Sequence, residues 1–180
     1  MPSIRKKTYF YLLSALLILL TACGPAAALE ETAQGGASPE QVVESFLEDL
    51  NAALNDPSLD DVEVRRGWAE RLAGYFAPSE RVDQRVALGE MLAGFVVNAR
   101  RPVVGERMVM ELTYTTVDEL SRTEETALVE VVDGAFVLRW LNAEGEPLRE
   151  RSGNIMEIIG QTSGGLPVLR VGAQWFLTEG

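Results

Sequence analysis

The chain has 180 residues, 47% of them hydrophobic and 24% charged, with a net charge of −11, no histidine and a single cysteine. The length suits one domain. The negative charge argues against nucleic acid as a partner, since phosphates demand Lys and Arg, and against a polybasic membrane-binding patch. Without histidine there is no Ser-His-Asp triad, Cys-His pair or His-based zinc site, and one cysteine closes no internal disulfide.

At the N-terminus, Arg5, Lys6 and Lys7 precede an apolar run from Tyr9 to Leu20 that only Ser14 interrupts, and small residues follow. That order is the pattern of a secretory signal peptide. The run is shorter than the roughly 20 residues a helix needs to cross a bilayer. The run ends in Leu20-Thr21-Ala22-Cys23, which resembles the lipobox of bacterial lipoproteins. The resemblance implies that residues 1–22 are removed, that Cys23 carries a diacylglycerol, and that the protein is anchored through it to the bacterial membrane on the extracytoplasmic side. Removing residues 1–22 takes away three basic residues and no acid, so the net charge falls from −11 to −14. It also takes away Lys6 and Lys7, the only lysines, and with them Schiff-base chemistry and a P-loop lysine. Gly24 to Ala37 is rich in Ala, Gly and Glu without apolar period, so residues 23–37 read as a lipid-bearing flexible tether.

A single domain is expected over residues 38–180. Ser38-Pro39-Glu40-Gln41 combines an N-cap serine, proline at the first helical position and Gln three residues after the cap. Val42, Val43, Phe46, Leu47, Leu50, Ala53 and Leu54 then recur on one helical face until Asn55, before Asp56-Pro57. An acidic loop runs to Asp61. A second helix covers about 64–76, anchored by Trp68, Leu72, Tyr75 and Phe76, and Pro78 stops it. Ser79 opens a third, about 80–98, carrying Val82, Val86, Met91, Leu92, Phe95 and Val96. Gly89 and Gly94 weaken that helix by about 1 kcal/mol each relative to Ala, or permit close packing.

The period then changes from helical to two. Met108, Met110, Leu112, Tyr114 and Thr116 alternate with polar residues over 107–117, which predicts a strand with one buried face. A second strand is expected over 126–132. Asp133-Gly134 has the composition of a two-residue hairpin turn, so 135–141 is predicted as the return strand, with Phe136, Leu138 and Trp140 on one side. Residues 144–147 read as a loop, 154–159 as either strand or helix, and 166–171 and 174–177 as a last hairpin. Helices followed by antiparallel strands predict an α+β domain, with helices packed on one side of a curved sheet. The lipobox, the helix opening Ser-Pro-Glu-Gln-Val-Val-Glu-Ser-Phe-Leu, two more helices, meandering strands and the terminal Gln-Trp-Phe-Leu together resemble the extracytoplasmic lipoproteins of the NTF2-like (cystatin-like, cone-shaped) superfamily. The resemblance implies that the first helix and the last strand share a core, through Phe46 and Trp175. The enzymatic branches of that superfamily use Asp–His or Tyr–Asp pairs. This chain lacks the histidine, and spacing indicates no Tyr–Asp pair.

Four constellations bear on function. Glu48, Asp49, Asn55, Asp56, Asp60, Asp61 and Glu63 could supply oxygen ligands to a hard cation, but the EF-hand spacing is absent and the stretch reads as a solvated loop. The aromatic residues sit at core spacing. The functional alternative is an apolar cone pocket lined by Met108, Met110, Tyr114 and Trp140, with Arg139 on the opposite face. Glu124 and Glu125 point to opposite faces if on a strand, and read as a solubilising hairpin loop. The expected function is therefore a membrane-anchored, non-catalytic binding or protein-interaction module, without cofactor or metal, whose partner is an envelope protein. The alternative is a carrier of a small apolar ligand. A His-free lyase or isomerase comes third.

Overall fold

The computed structural model describes residues 34–99, 105–159 and 165–179. The expected signal segment 1–22, Cys23 and the rest of the expected tether up to residue 33 lie outside the described residues. The architecture is α+β, with helices N-terminal to antiparallel strands. Three helices come first: α1 (Pro39–Asn55), α2 (Val62–Ala73) and α3 (Arg81–Ala99). Then follow β1 (Arg107–Thr113), β2 (Thr116–Arg122), β3 (Thr126–Val132), β4 (Ala135–Leu141), β5 (Pro147–Asn154), the short helix α4 (Ile155–Ile159), β6 (Leu166–Val171) and β7 (Gln174–Leu177). No helix among the described residues is long and apolar enough to cross a membrane.

Helix α1 starts as its sequence dictates. Ser38 is extended, and its hydroxyl accepts from the Gln41 N–H at 3.2 Å. Gln41 reaches back to accept the Ala37 N–H at 3.0 Å, so one orphan donor of the first turn and one donor of the segment leading into it are satisfied. Its apolar face is completely buried, from Val42 to Leu54. Phe46 meets the rings of Tyr75 and Phe76 edge-on, at 6.0 and 5.7 Å between centroids. Asp61 caps α2 by accepting from the N–H groups of Glu63 and Val64.

The strands form two sheets, ordered β1-β4-β5 and β2-β3-β6-β7. One register links them. Arg107 faces Leu141 and Thr113 faces Ala135 in the first sheet, and Thr116 faces Val132 in the second. Residues 107–122 and 126–141 are thus one long hairpin, bent in the middle. Its tip is at Thr123, whose N–H donates to the Thr126 carbonyl at 2.7 Å. Glu124 and Glu125 sit exposed at that tip. The expectation for Asp133-Gly134 is therefore corrected. This dipeptide is not a hairpin turn but the bend by which one chain segment passes from the second sheet to the first. Asp133 takes the left-handed conformation, φ 54°, and accepts from the Thr115 hydroxyl at 3.0 Å on the opposing strand. Gly134 is buried, and a Cβ there would stand 2.5 Å from Cγ2 of Ile155, a fully buried residue of α4.

Two strands extend beyond the alternating pattern. β2 continues to Arg122 although Asp118-Glu119-Leu120-Ser121 has no apolar alternation, because only Val117 of this edge strand is buried. β5 was not expected at all. It is exposed along nearly its whole length and has no buried face to leave a period in the sequence. The folded body also starts earlier than Ser38. Gly36 and Trp175 exchange both backbone hydrogen bonds at 2.9 Å, and Gln34 N–H reaches the Gly74 carbonyl. A Cβ on Gly36 would stand 2.6 Å from the Val42 nitrogen, so only glycine lets the chain pass here. This segment covers the free edge of β7. Trp175 is 1% exposed and shares the core with Phe46. Arg122 lies over its ring at 4.8 Å.

Candidate binding surfaces

The four residues expected to line a pocket lie together on or beside the inner face of the first sheet. Met108 faces Trp140 across the β1–β4 ladder, and Met110 faces Leu138. Met110 is 5% exposed, and Met108, Tyr114 and Trp140 pack against the same core cluster. Burial raises the Tyr114 phenol above its ordinary range, with Glu44 and Glu48 adding to the effect. Arg149 covers the Trp140 ring at 4.4 Å. The outward edge of β1 is held by α1. The Asn55 amide donates to the Met110 carbonyl at 2.5 Å and accepts the Met110 N–H at 3.1 Å, while Asn51 accepts from Leu112 N–H at 3.1 Å. Two asparagine side chains thus stand in for a neighbouring strand, which removes an exposed edge. Arg139 lies on the opposite face, paired with Glu111 at 2.8 Å and Glu150 at 2.9 Å.

The acidic stretch is spent on the helices themselves. Asp49 accepts two bonds from the Arg71 guanidinium, at 2.6 and 2.7 Å, and one from the Tyr75 hydroxyl at 2.7 Å. Asp56 accepts from the Trp68 indole at 2.7 Å, and Glu63 pairs with Arg66. Burial first, and the bond to Asp49 second, hold the Tyr75 phenol far above its ordinary range. Spacing did not reveal this Tyr–Asp pair, because Asp49 is on α1 and Tyr75 lies in the turn after α2, 26 positions apart. Asp49 is already charge-paired and triply bonded, so the arrangement is a clamp between α1 and α2. Among the described residues, no three acidic or cysteine side chains converge on a possible metal position.

Two cavities lie away from the expected pocket. The first is a groove of about 550 Å³ between α2 and α3. Its floor is Ala69, Gly89 and Ala93, its apolar walls are Val62 and Val86, and Arg65, Arg66, Arg85, Glu70 and Glu90 line it too. Val62 is 58% exposed and Val86 57%. The apolar residues of α3 fall on two faces: Leu88 and Leu92 turn inward, whereas Val82, Val86 and Val97 turn outward. The second cavity, about 300 Å³, lies between α1, α3, α4 and the β6–β7 hairpin and is bounded by Phe46, Phe76, Ile159, Leu166, Leu177, Gln84, Thr178 and Glu179.

Compared with known protein families, with curated proteins and with solved structures, the chain matches none.

Proposed function

We propose that this chain is an extracytoplasmic lipoprotein, anchored through Cys23, whose domain is a non-catalytic interaction module and presents the α2–α3 groove to a partner protein. The observation that carries the reading is the exposed face of α3, where Val82, Val86 and Val97 are each more than half exposed along one helix. Exposed apolar surface at this density marks interaction sites on soluble domains. The partner is an amphipathic helix with acidic flanks. Three of the five charged residues of the groove are arginines, in a chain whose net charge is −11. Arg85 has no ion-pair partner among the described residues. Packing of Met110 and its neighbours into the core favours a protein partner over a ligand in that part of the cone. The closed state of the Tyr75–Asp49 pair favours a binder over an enzyme. Three helices before a bent antiparallel sheet support the NTF2-like resemblance.

The test is a photo-crosslinking amino acid at Val86 in the membrane-anchored protein. A heterologous adduct of one defined mass is expected, and Arg85→Glu should abolish it. Absence of an adduct, or an adduct indifferent to Arg85→Glu, overturns the reading. An adduct of twice the chain mass replaces it with self-association.

A further inference from the structure

The two sheets have four edges, and the fold protects three of them. Asn51 and Asn55 bond to the backbone of β1, and Gly36 pairs with Trp175 on β7. The edge of β2 is interrupted by a register shift between Glu119 and Ser121 and carries Asp118 and Glu119, and both devices blunt an edge. The edge of β5 is different. It ends the first sheet, and from Arg149 to Asn154 it pairs with β4 without interruption. Its proline and its one irregularity lie at its start, beside Pro147. Residues 147–152 are all exposed. Among the described residues, no hydrogen bond reaches the backbone of 147–153 except those of the β4 ladder. Alternate N–H and C=O groups of β5 therefore point away from the sheet, in position to pair with another strand.

The charges of β5 decide what pairs. By register, Arg149 and Arg151 share the face of Trp140 and Leu138, and Glu150 shares the face of Arg139. Glu150 is committed to Arg139 and Arg149 to Glu106, each at 2.9 Å. Arg151 is exposed and has no ion-pair partner among the described residues. A second copy fits badly. Two β5 strands related by a twofold axis pair antiparallel, with the residue at the axis facing itself. The two longest such registers centre on Glu150 and on Arg151, and each sets like charges directly opposite one another, which is destabilising. A different chain escapes this constraint and can place a carboxylate opposite Arg151. We infer that β5 is a docking edge for an extended segment of a partner protein, which adds to the first sheet as a further strand and sets an acidic side chain against Arg151.

The experiment is amide hydrogen exchange on the full chain in nanodiscs, with two end-blocked peptides as probes: Thr-Val-Glu-Val-Glu-Val-Thr and its analogue with lysine in place of both glutamates. The glutamate peptide should protect the amides of residues 149–153 and should bind about fivefold more tightly than the lysine peptide, the scale of a cross-strand charge pair. Arg151→Glu, a change at an exposed position, should reverse that order. A strand offers β5 only one of its two edges. Methylating either the valine nitrogens or the glutamate nitrogens of the first peptide should therefore abolish protection in one case and spare it in the other. No protection by the glutamate peptide, equal binding of the two peptides, an order unmoved by Arg151→Glu, or equal effects of the two methylations overturns the inference. Protection of these amides that rises with protein concentration in the absence of peptide also overturns it, in favour of self-pairing. Arg85→Glu should leave the peptide protection intact, so this edge and the α2–α3 groove stand or fail separately.

Discussion

Replacing Asp49 by Ala should destabilise the domain more than any other single change to a polar residue of the α1–α2 contact. The variant loses three hydrogen bonds at once, but they do not count equally. The Arg71 side chain is 53% exposed and rehydrates when released, so its two bonds are discounted toward the ~0–1 kcal/mol of a surface ion pair. Tyr75 is 6% exposed, so its hydroxyl loses its acceptor in a dry site, at a cost of about 1–3 kcal/mol. The sum is about 1–4 kcal/mol. For a domain of this size that lowers Tm by roughly 2–16 °C, at about 2–4 °C per kcal/mol. Tyr75→Phe leaves Asp49 with both arginine bonds and should cost only about 0.5–1.5 kcal/mol. The pair also predicts a pH dependence. The folded state holds the Tyr75 proton more tightly than the unfolded chain, whose phenol titrates near pH ~10. This contribution is fully present below pH ~10 and is lost as pH rises toward the folded-state value, because the unfolded chain then releases a proton that the folded protein keeps. Denaturant unfolding between pH 8 and 11 should therefore show the wild type losing stability more steeply than Tyr75→Phe at the alkaline end. An Asp49→Ala variant within about 2 °C of wild type, or parallel pH profiles for wild type and Tyr75→Phe, would refute the clamp.

Gly36→Ala forces a Cβ to 2.6 Å from the Val42 backbone and should detach residues 34–37 from the β7 edge, lowering the denaturation midpoint and exposing the Trp175 amide to hydrogen exchange. Asn55→Leu removes both bonds to Met110, so a loss of about 1–3 kcal/mol is expected, with faster exchange at the Met110 and Leu112 amides. Cys23→Ser should release the protein from the membrane fraction or stall its processing, and intact mass of the membrane-extracted wild type should show an acylated N-terminal cysteine.

How much could be read in advance depended on burial. Helix α1 was legible to its cap, because Ser38, Gln41 and a seven-residue apolar face all serve one local geometry. Strand β5 left no trace, since the sequence Leu148 to Gly153 buries almost nothing and an exposed edge strand has no face to encode. The two cavities were invisible for a different reason. Their walls come from residues as distant as Phe46 and Leu177, and neither Gln84 nor Glu179 belongs to a local motif. The outward direction of the α3 valines was not legible, since an apolar residue has the same identity whether it faces a core or a partner.

Asp133-Gly134 is the instructive failure, and it yields a test. The dipeptide favours positive φ, and a two-residue hairpin is the commonest user of that preference. Here the same preference bends a continuous strand. Asp133 takes φ 54° while Thr115 opposite donates to its carboxylate, and Gly134 leaves room for Ile155 of α4. The two uses differ in what a side chain at Gly134 would meet. In a hairpin tip it would project into solvent and cost only the strain of its positive φ, with no contact to Ile155. At this bend its Cβ would stand 2.5 Å from Ile155 Cγ2 and 3.0 Å from Val131 Cγ1, within the buried core. Gly134→Val should therefore push α4 off the bend and cost at least about 1–3 kcal/mol, the usual penalty for overpacking, and Ile155→Ala in the same chain should recover part of that loss by emptying the contested volume. Independent, additive losses from the two changes would show that the bend and α4 are not in contact, and the bent-hairpin description would fall with them.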